Sequence, residues 1–452
     1  MAEQAKLTRG SIRGHLVTQT LPMIIGVAAI MSIGLIDAYF VGKLGAKELA
    51  AVSFIFPISV ALGSLGVGVM VGINSVIARA LGARDFDRAT QRASFGIVFA
   101  VTIGIVLGLI LFAVLDPLFR LMNVPEETMP LVRDYMVPYA IGYPLQLAIM
   151  GFNGVLRGQG EARKTSYVSI AYAAGNWVFD PILITGAFGF AGYGVAGAAY
   201  ATIIGWIIGV IVAWLLLSRT ALPFAPRKML ETDMKASAAA ITRVAGPASF
   251  SNAINPIGLS VLTALVAIEG QAAVAGFGAA GRLQSFAVVP LLGLSGSIGA
   301  IVGQNWGADR ADRARRALKY AGAFCIAYGL AIAAILAFRP EWFATLFSED
   351  RAVIEQFASY LTIAAWGYAG YGLLIVGNGA LNAIDRAAWA LLQSCARVFL
   401  VMLPVAWLMR DRFGADAIYA AELAANLVGG AFAVTVLWYF VRSKPAGEKA
   451  TA

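Results

Sequence analysis

Along 452 residues, apolar runs recur with only short polar breaks between them. Each is about 20 residues or longer, the length a helix needs to cross the hydrocarbon core of a bilayer. Inside lipid every backbone polar group must find its partner within the chain, so such runs fold as helices. We place about twelve spans, near 16–41, 50–80, 92–117, 130–157, 165–188, 193–218, 238–268, 274–304, 315–340, 353–382, 387–411 and 415–442. The expected fold class is an all-α membrane protein. Its 60% hydrophobic and 13% charged residues agree with this, and its 49 glycines suit helices that approach one another closely in a membrane.

The net charge of +9 is spread over short loop clusters and forms no single basic face, which argues against nucleic acid. With both termini on one side, the loops of that side hold 24 of the 34 Lys and Arg residues, from Lys6, Arg9 and Arg13 through Arg310–Arg316 to Arg442, Lys444 and Lys449. The positive-inside rule then predicts a multi-pass protein of the cytoplasmic membrane with both termini cytoplasmic. Cys325 and Cys395 lie within apolar runs and imply no disulfide framework. One histidine and two cysteines assemble no catalytic or metal cluster, and no phosphate-binding glycine-lysine loop is present. We therefore expect neither an enzyme nor a resident cofactor, and energy from an ion gradient or from a partner.

Sliding the chain against itself by 225 residues aligns Pro22 with Pro247, Gly82-Ala83 with Gly307-Ala308, Tyr135 with Tyr360, and Asn153-Gly154 with Asn378-Gly379. Six spans per half give both halves the same orientation, related by a pseudo-twofold axis along the membrane normal. We expect an N-terminal lobe over 1–220, a cytoplasmic linker over 221–237 and a C-terminal lobe over 238–452, with a cleft between them that opens alternately to each side.

The polar residues break this symmetry. Asp37 meets Leu262, Asn176 meets Val401 and Asp180 meets Val405. A carboxylate at bilayer depth costs about 2.5–3.5 kcal/mol on insertion scales, so Asp37 calls for a partner. Asn176 and Asp180, four residues apart, share one face of the fifth span. Pro181 lacks an N–H and frees the Trp177 carbonyl, and Thr202 adds a hydroxyl from the sixth span. Together these oxygens suit H+ or Na+, and two neighbouring carboxyl groups would titrate as one unit.

At these residues the chain resembles the multidrug and toxic compound extrusion (MATE) family of secondary transporters. The resemblance is carried by Ile36–Gly45, Ala80–Ala83, Leu156–Gly160, Asn176–Pro181, Gly197–Thr202 and Gly303–Ala308. It implies an antiporter that exports small amphipathic or cationic organic compounds while H+ or Na+ enters. Asp37, Asn176, Asp180 and Thr202 match the family's cation site, and Pro22 matches a proline at which the first span is expected to bend. Span seven has no acidic residue and Asp385 falls after span ten, so the C-terminal carboxylate pair of one branch is missing. The DinF-like branch is the better match. We expect the chain to function as a monomer.

Tyr39, Tyr139, Gln146, Met150, Asn252, Gln284 and Arg282 are candidates for a substrate cavity, by stacking, cation–π contact and hydrogen bonding. Arg397 lies near enough to the cytoplasmic end to snorkel, and Glu422 is a candidate ion-pair partner for it or for Arg282. The alternative function is a flippase for lipid-linked precursors, which needs several cationic residues in the cleft to hold pyrophosphate.

Overall fold

The computed structural model describes residues 5–443 except 188, 190 and 232. Lys444 and Lys449, two of the basic residues counted above, lie outside the described residues. The chain forms fifteen principal helices: α1 (Ile12–Gly42), α2 (Ala46–Gly82), α3 (Phe86–Leu121), α4 (Met129–Gly158), α5 (Ala162–Asp180), α6 (Val195–Leu217), α7 (Met234–Val266), α8 (Gln271–Ala287), α9 (Val289–Gly307), α10 (Ala311–Phe338), α11 (Arg351–Ala364), α12 (Tyr368–Ala383), α13 (Ala387–Cys395), α14 (Leu403–Phe413) and α15 (Ala415–Ser443).

Among the described residues nine helical segments are long and apolar enough to cross a membrane, or ten when α8 and α9 are joined across their 43° bend. The two further spans expected from the sequence are α4 and α5, which are less apolar because they carry the site's polar groups and several tyrosines. Most of the interruptions fall in the C-terminal half, the π-helical end of span five at Pro181–Gly186 lying in the N-terminal one. Span eight bends at Val288, just before Pro290, whose missing N–H weakens the helical ladder there. Span ten tightens at Ala365–Gly367, and span eleven widens into a π-helical segment at Ala396–Met402. By contrast α1 runs unbroken through Pro22, whose carbonyl accepts a hydrogen bond from the Ser166 hydroxyl of α5.

The repeat is visible as a pair of reciprocal contacts. A Cβ on Gly82 would stand 2.1 Å from the Gln304 carbonyl oxygen, and one on Gly307 would stand 2.2 Å from that of Arg79. Residues 79 and 82 align with 304 and 307 at the 225-residue offset, so each half makes the same contact with the other, as a twofold axis requires. The turns repeat too: Arg84 and Asp309 have φ of 60° and 55°, and Gly160 and Asp385 have φ of 75° and 65°.

The bonds between the halves run from mid-depth to the end that carries both termini. Arg79 bonds the Ala383 carbonyl at 3.0 Å and pairs with Asp385 at 3.6 Å, while Ser75 donates to the Asn382 carbonyl at 2.5 Å. Thr20 meets Ser297 at 2.7 Å, and Ser249 reaches the Leu65 carbonyl at 3.3 Å. Leu7, 1% exposed, wedges into the seam: its N–H donates to Gln304 and its carbonyl accepts from Asn305. No hydrogen bond or ion pair among the described residues joins the opposite ends of the two halves. The molecule is closed at the terminal-bearing end and parted at the other.

The connection between the halves is docked over its first part. Leu222 is buried and donates from its backbone to Gln159, Ala225 donates to Ser94, and Lys228 pairs with Asp87 at 3.1 Å.

Candidate functional site

α1 and α5 run parallel and are fastened at three heights. Ser166 bonds the Pro22 carbonyl near the closed end, Trp177 donates from its indole to Ser32 at 3.0 Å, and nearer the open end Asp37 faces Asp180. The two carboxyl groups are close enough for one to donate a hydrogen bond to the other when it carries a proton. Asp180 is 0% exposed and Asp37 half-buried. Neither oxygen of Asp180, nor Oδ1 of Asp37, receives a hydrogen bond from any donor among the described residues. Buried carboxylates ordinarily have donors or a counter-ion. Chemically, such a pair is suited to hold a proton or a small cation between its oxygens.

Asn176, one turn before Asp180, is also fully buried. Its Nδ2 donates to the Tyr172 carbonyl and its Oδ1 accepts from the Thr202 hydroxyl, both at 3.4 Å. Thr202 reaches this position because α5 continues past Asp180 as a π-helical turn, Pro181–Gly186, and the following segment folds back on it. Tyr193 N–H donates to the Leu183 carbonyl at 2.7 Å and Gly194 N–H to that of Ile184 at 3.1 Å. Gly197 then packs so closely that a Cβ there would stand 2.0 Å from the Leu183 carbonyl oxygen. The wide turn begins at Pro181, whose missing N–H interrupts the α-helical hydrogen-bond ladder at that point.

Asp37, Asn176, Asp180 and Thr202 are thus neighbours in space. Tyr135 and Tyr172, which the sequence reading left out, border the same site, Tyr135 beside Thr202. Tyr172 was findable, because 172, 176 and 180 form one helical stripe. Tyr135 comes from α4, and no spacing within the sequence links it to α5.

The cavity candidates scatter. Tyr139 is a correction: it is 4% exposed in the N-terminal core, packed edge-on to Trp206 and stacked between Tyr135 and Tyr143, and so lines no open wall. Gln146 accepts from its hydroxyl at 3.3 Å, and Met150 packs against the position of Gly66. Tyr39 is 60% exposed toward the open end, with the Lys43 ammonium 4.4 Å from its ring centre. Asn252 is exposed and bonds the Ala248 carbonyl of its own helix.

The C-terminal half holds a second polar network. Glu422, 1% exposed, accepts from Gln284 at 2.7 Å and Tyr360 at 3.0 Å. Arg397 does not snorkel. It is 4% exposed inside the π-helical segment, donating to Asn426 at 3.0 Å and Asn255 at 2.7 Å, with its guanidinium over the Tyr371 ring. The expected ion pair is absent, because amides and a phenol on neighbouring helices take up both charged groups. Arg282 is exposed and has no hydrogen-bond or ion-pair partner among the described residues.

Comparison with known proteins agrees with this architecture. A "FAD transporter" of Shewanella oneidensis is 30% identical over 436 residues, covering 95% of each chain. The multidrug export protein MepA of Staphylococcus aureus is 24% identical over 94% of this chain and 93% of its own. A crystal structure of a variant of the Vibrio cholerae MATE transporter VcmN superposes with a TM-score of 0.91 at 25% identity, covering 99% of both chains. The MatE family model matches twice, at residues 22–182 and 247–408, so that each half of the repeat carries one copy. This chain belongs to the MatE, or multidrug and toxic compound extrusion, family of membrane transporters.

Proposed function

We propose that this chain is a cation-coupled antiporter that exports small amphipathic organic compounds through the cleft between its lobes, with H+ or Na+ entering by way of Asp37, Asn176, Asp180 and Thr202. The observation that carries the reading is the facing pair of carboxyl groups, Asp180 fully buried and Asp37 half-buried, in which both oxygens of Asp180 and Oδ1 of Asp37 have no donor among the described residues. A cation or proton that binds between them stabilises whichever conformation holds them together, and a ligand shifts a conformational equilibrium only by such differential affinity. The carboxyl groups, the Asn176 carbonyl and the Thr202 hydroxyl are hard oxygen donors suited to either ion. The protein lies in the cytoplasmic membrane with the closed end and both termini in the cytoplasm, a reading supported by the basic residues gathered there. It acts as a monomer, since the cleft is built within one chain.

Relatives that carry a dinucleotide and relatives that export drugs both fit a cleft for flat organic molecules. The test uses vesicles with Na+ and pH gradients imposed separately, reading uphill transport of a fluorescent organic dye. Wild type transports the dye under one of the two gradients, and Asp37→Asn and Asp180→Asn abolish it. Gradient-dependent transport retained in both variants would sink the mechanism. Headgroup translocation of a lipid-linked precursor, with no dye movement, would favour the flippase.

A further inference from the structure

Arg282 occupies an unusual place for a free cation. It stands eleven residues into α8, and at a rise of about 1.5 Å per residue this puts it about 16 Å below the helix start. That depth is close to the middle of a hydrocarbon core of about 30 Å. A guanidinium facing lipid there is costly, and snorkelling along the side chain falls short of the surface. One turn before it on the same face, Gly278 has no heavy atom within 4 Å of where a Cβ would point, and Phe286, one turn after, is exposed.

Helical periodicity carries this face through the bend into α9, where residue 293 falls on the same side as 282. A Cβ on Gly293 would stand 2.7 Å from Ile24 of α1, and one on Gly296 would stand 2.6 Å from Met23. The face of α8 that bears Arg282 is therefore the one turned toward the N-terminal lobe, continued into the parted end where α1 no longer closes against it. Gln284, two residues on, points the other way, into the C-terminal lobe and onto Glu422. The two walls differ in polarity. The N-terminal lobe holds Asp37 and the buried Asp180 between α1 and α5, whereas the C-terminal lobe carries Arg282 exposed on this face of α8 and Arg397 buried behind it. At the repeat offset Arg397 takes the place of Tyr172, a neighbour of the aspartates.

We infer that the C-terminal wall of the cleft is a binding site for soluble organic anions, with the exposed Arg282 guanidinium taking a phosphate or carboxylate of the substrate. Guanidinium suits this role because it presents a planar fork of donors to an oxyanion. The inference rests on the exporter reading above and narrows its substrate class.

The experiment measures binding to full-length protein in neutral phosphatidylcholine nanodiscs, using riboflavin 5′-phosphate and riboflavin, which share a ring and differ by the phosphate. Wild type should bind the phosphate ester more tightly. Arg282→Gln should weaken that binding about tenfold or more, a loss expected of one charged hydrogen-bond donor, while riboflavin affinity shifts less than twofold. Arg282→Lys should restore part of the difference, and raised salt should weaken the ester alone. Equal losses for both probes, no preference of wild type for the ester, or no binding of it at all would each overturn the site. Wild type and Arg282→Gln are also compared for translocation of fluorescent phosphatidylglycerol. Arg282-dependent flipping would reassign the anion to a lipid headgroup and overturn the soluble substrate. Gradient-driven dye efflux by wild type, lost in Asp37→Asn, reads the exporter mechanism separately, so failure of the anion site and failure of the antiporter are distinguishable.

Discussion

Asp180 has both carboxyl oxygens buried without a donor, a state whose cost falls on the folded protein unless a cation or proton relieves it. Asp180→Asn should therefore keep or raise the melting temperature of the purified protein in ion-free buffer while abolishing gradient-driven transport. A fall in melting temperature would mean that the carboxylate has a structural partner. Thr202→Val removes the hydroxyl that donates to Asn176 at 3.4 Å. Loss of one such bond is worth about 0.5–1.5 kcal/mol, so the coupling-ion concentration giving half-maximal transport should rise by up to about tenfold. Asn176 and Asp180 were readable in advance because their partnership is a four-residue spacing within one helix. Tyr135 was hidden for the opposite reason, being brought to the site by the packing of a different helix.

At the scale of the element, the π-helical turn after α5 does what neither α5 nor α6 does alone. It lets Pro181 follow Asp180 without ending the helix and offers the Leu183 and Ile184 carbonyls to the returning segment. Gly197→Val places a branched side chain where even a Cβ would be 2.0 Å from a carbonyl oxygen. The start of α6 must then move away, at an overpacking cost of about 1–3 kcal/mol. The expected outcome is a lower melting temperature together with the coupling defect of Thr202→Val. An unchanged melting temperature would show that α6 is not held by this contact. The glycine-rich stretch between Asp180 and Thr202 reads as a loose connection in the sequence, since nothing local reveals that its carbonyls and N–H groups bond back onto the preceding turn.

For the whole molecule, the reciprocal contacts of Gly82 with Gln304 and of Gly307 with Arg79 make a prediction that symmetry sharpens. Gly82→Leu and Gly307→Leu should both hold the terminal-bearing end apart and give the same phenotype. Spin-label distances across that end should lengthen in each variant, and transport should be lost in each. A large effect in one variant with none in the other would contradict the twofold relation. Asp385→Asn is the milder version. It removes the ion pair with Arg79 at 3.6 Å, the partly exposed bridge from Asp385 to the other half, worth about 0.2–1 kcal/mol. The share of molecules open at that end should therefore rise by a few-fold in the same measurement.

The membrane class, the helical spans, the repeat and the asymmetric placement of Asp37, Asn176 and Asp180 are legible in the chain alone. Each of these is a matter of run length, spacing or offset along the chain. Tertiary structure alone decided which end of the cleft is closed, that Asp37 meets Asp180, that Thr202 completes the group, and that Glu422 and Arg397 bond to amides and phenols instead of to each other. Those outcomes depend on how helices distant in sequence rotate and approach one another, and on which neighbour satisfies a buried polar group first. Such competitions are settled by packing and leave no periodicity in the chain to read.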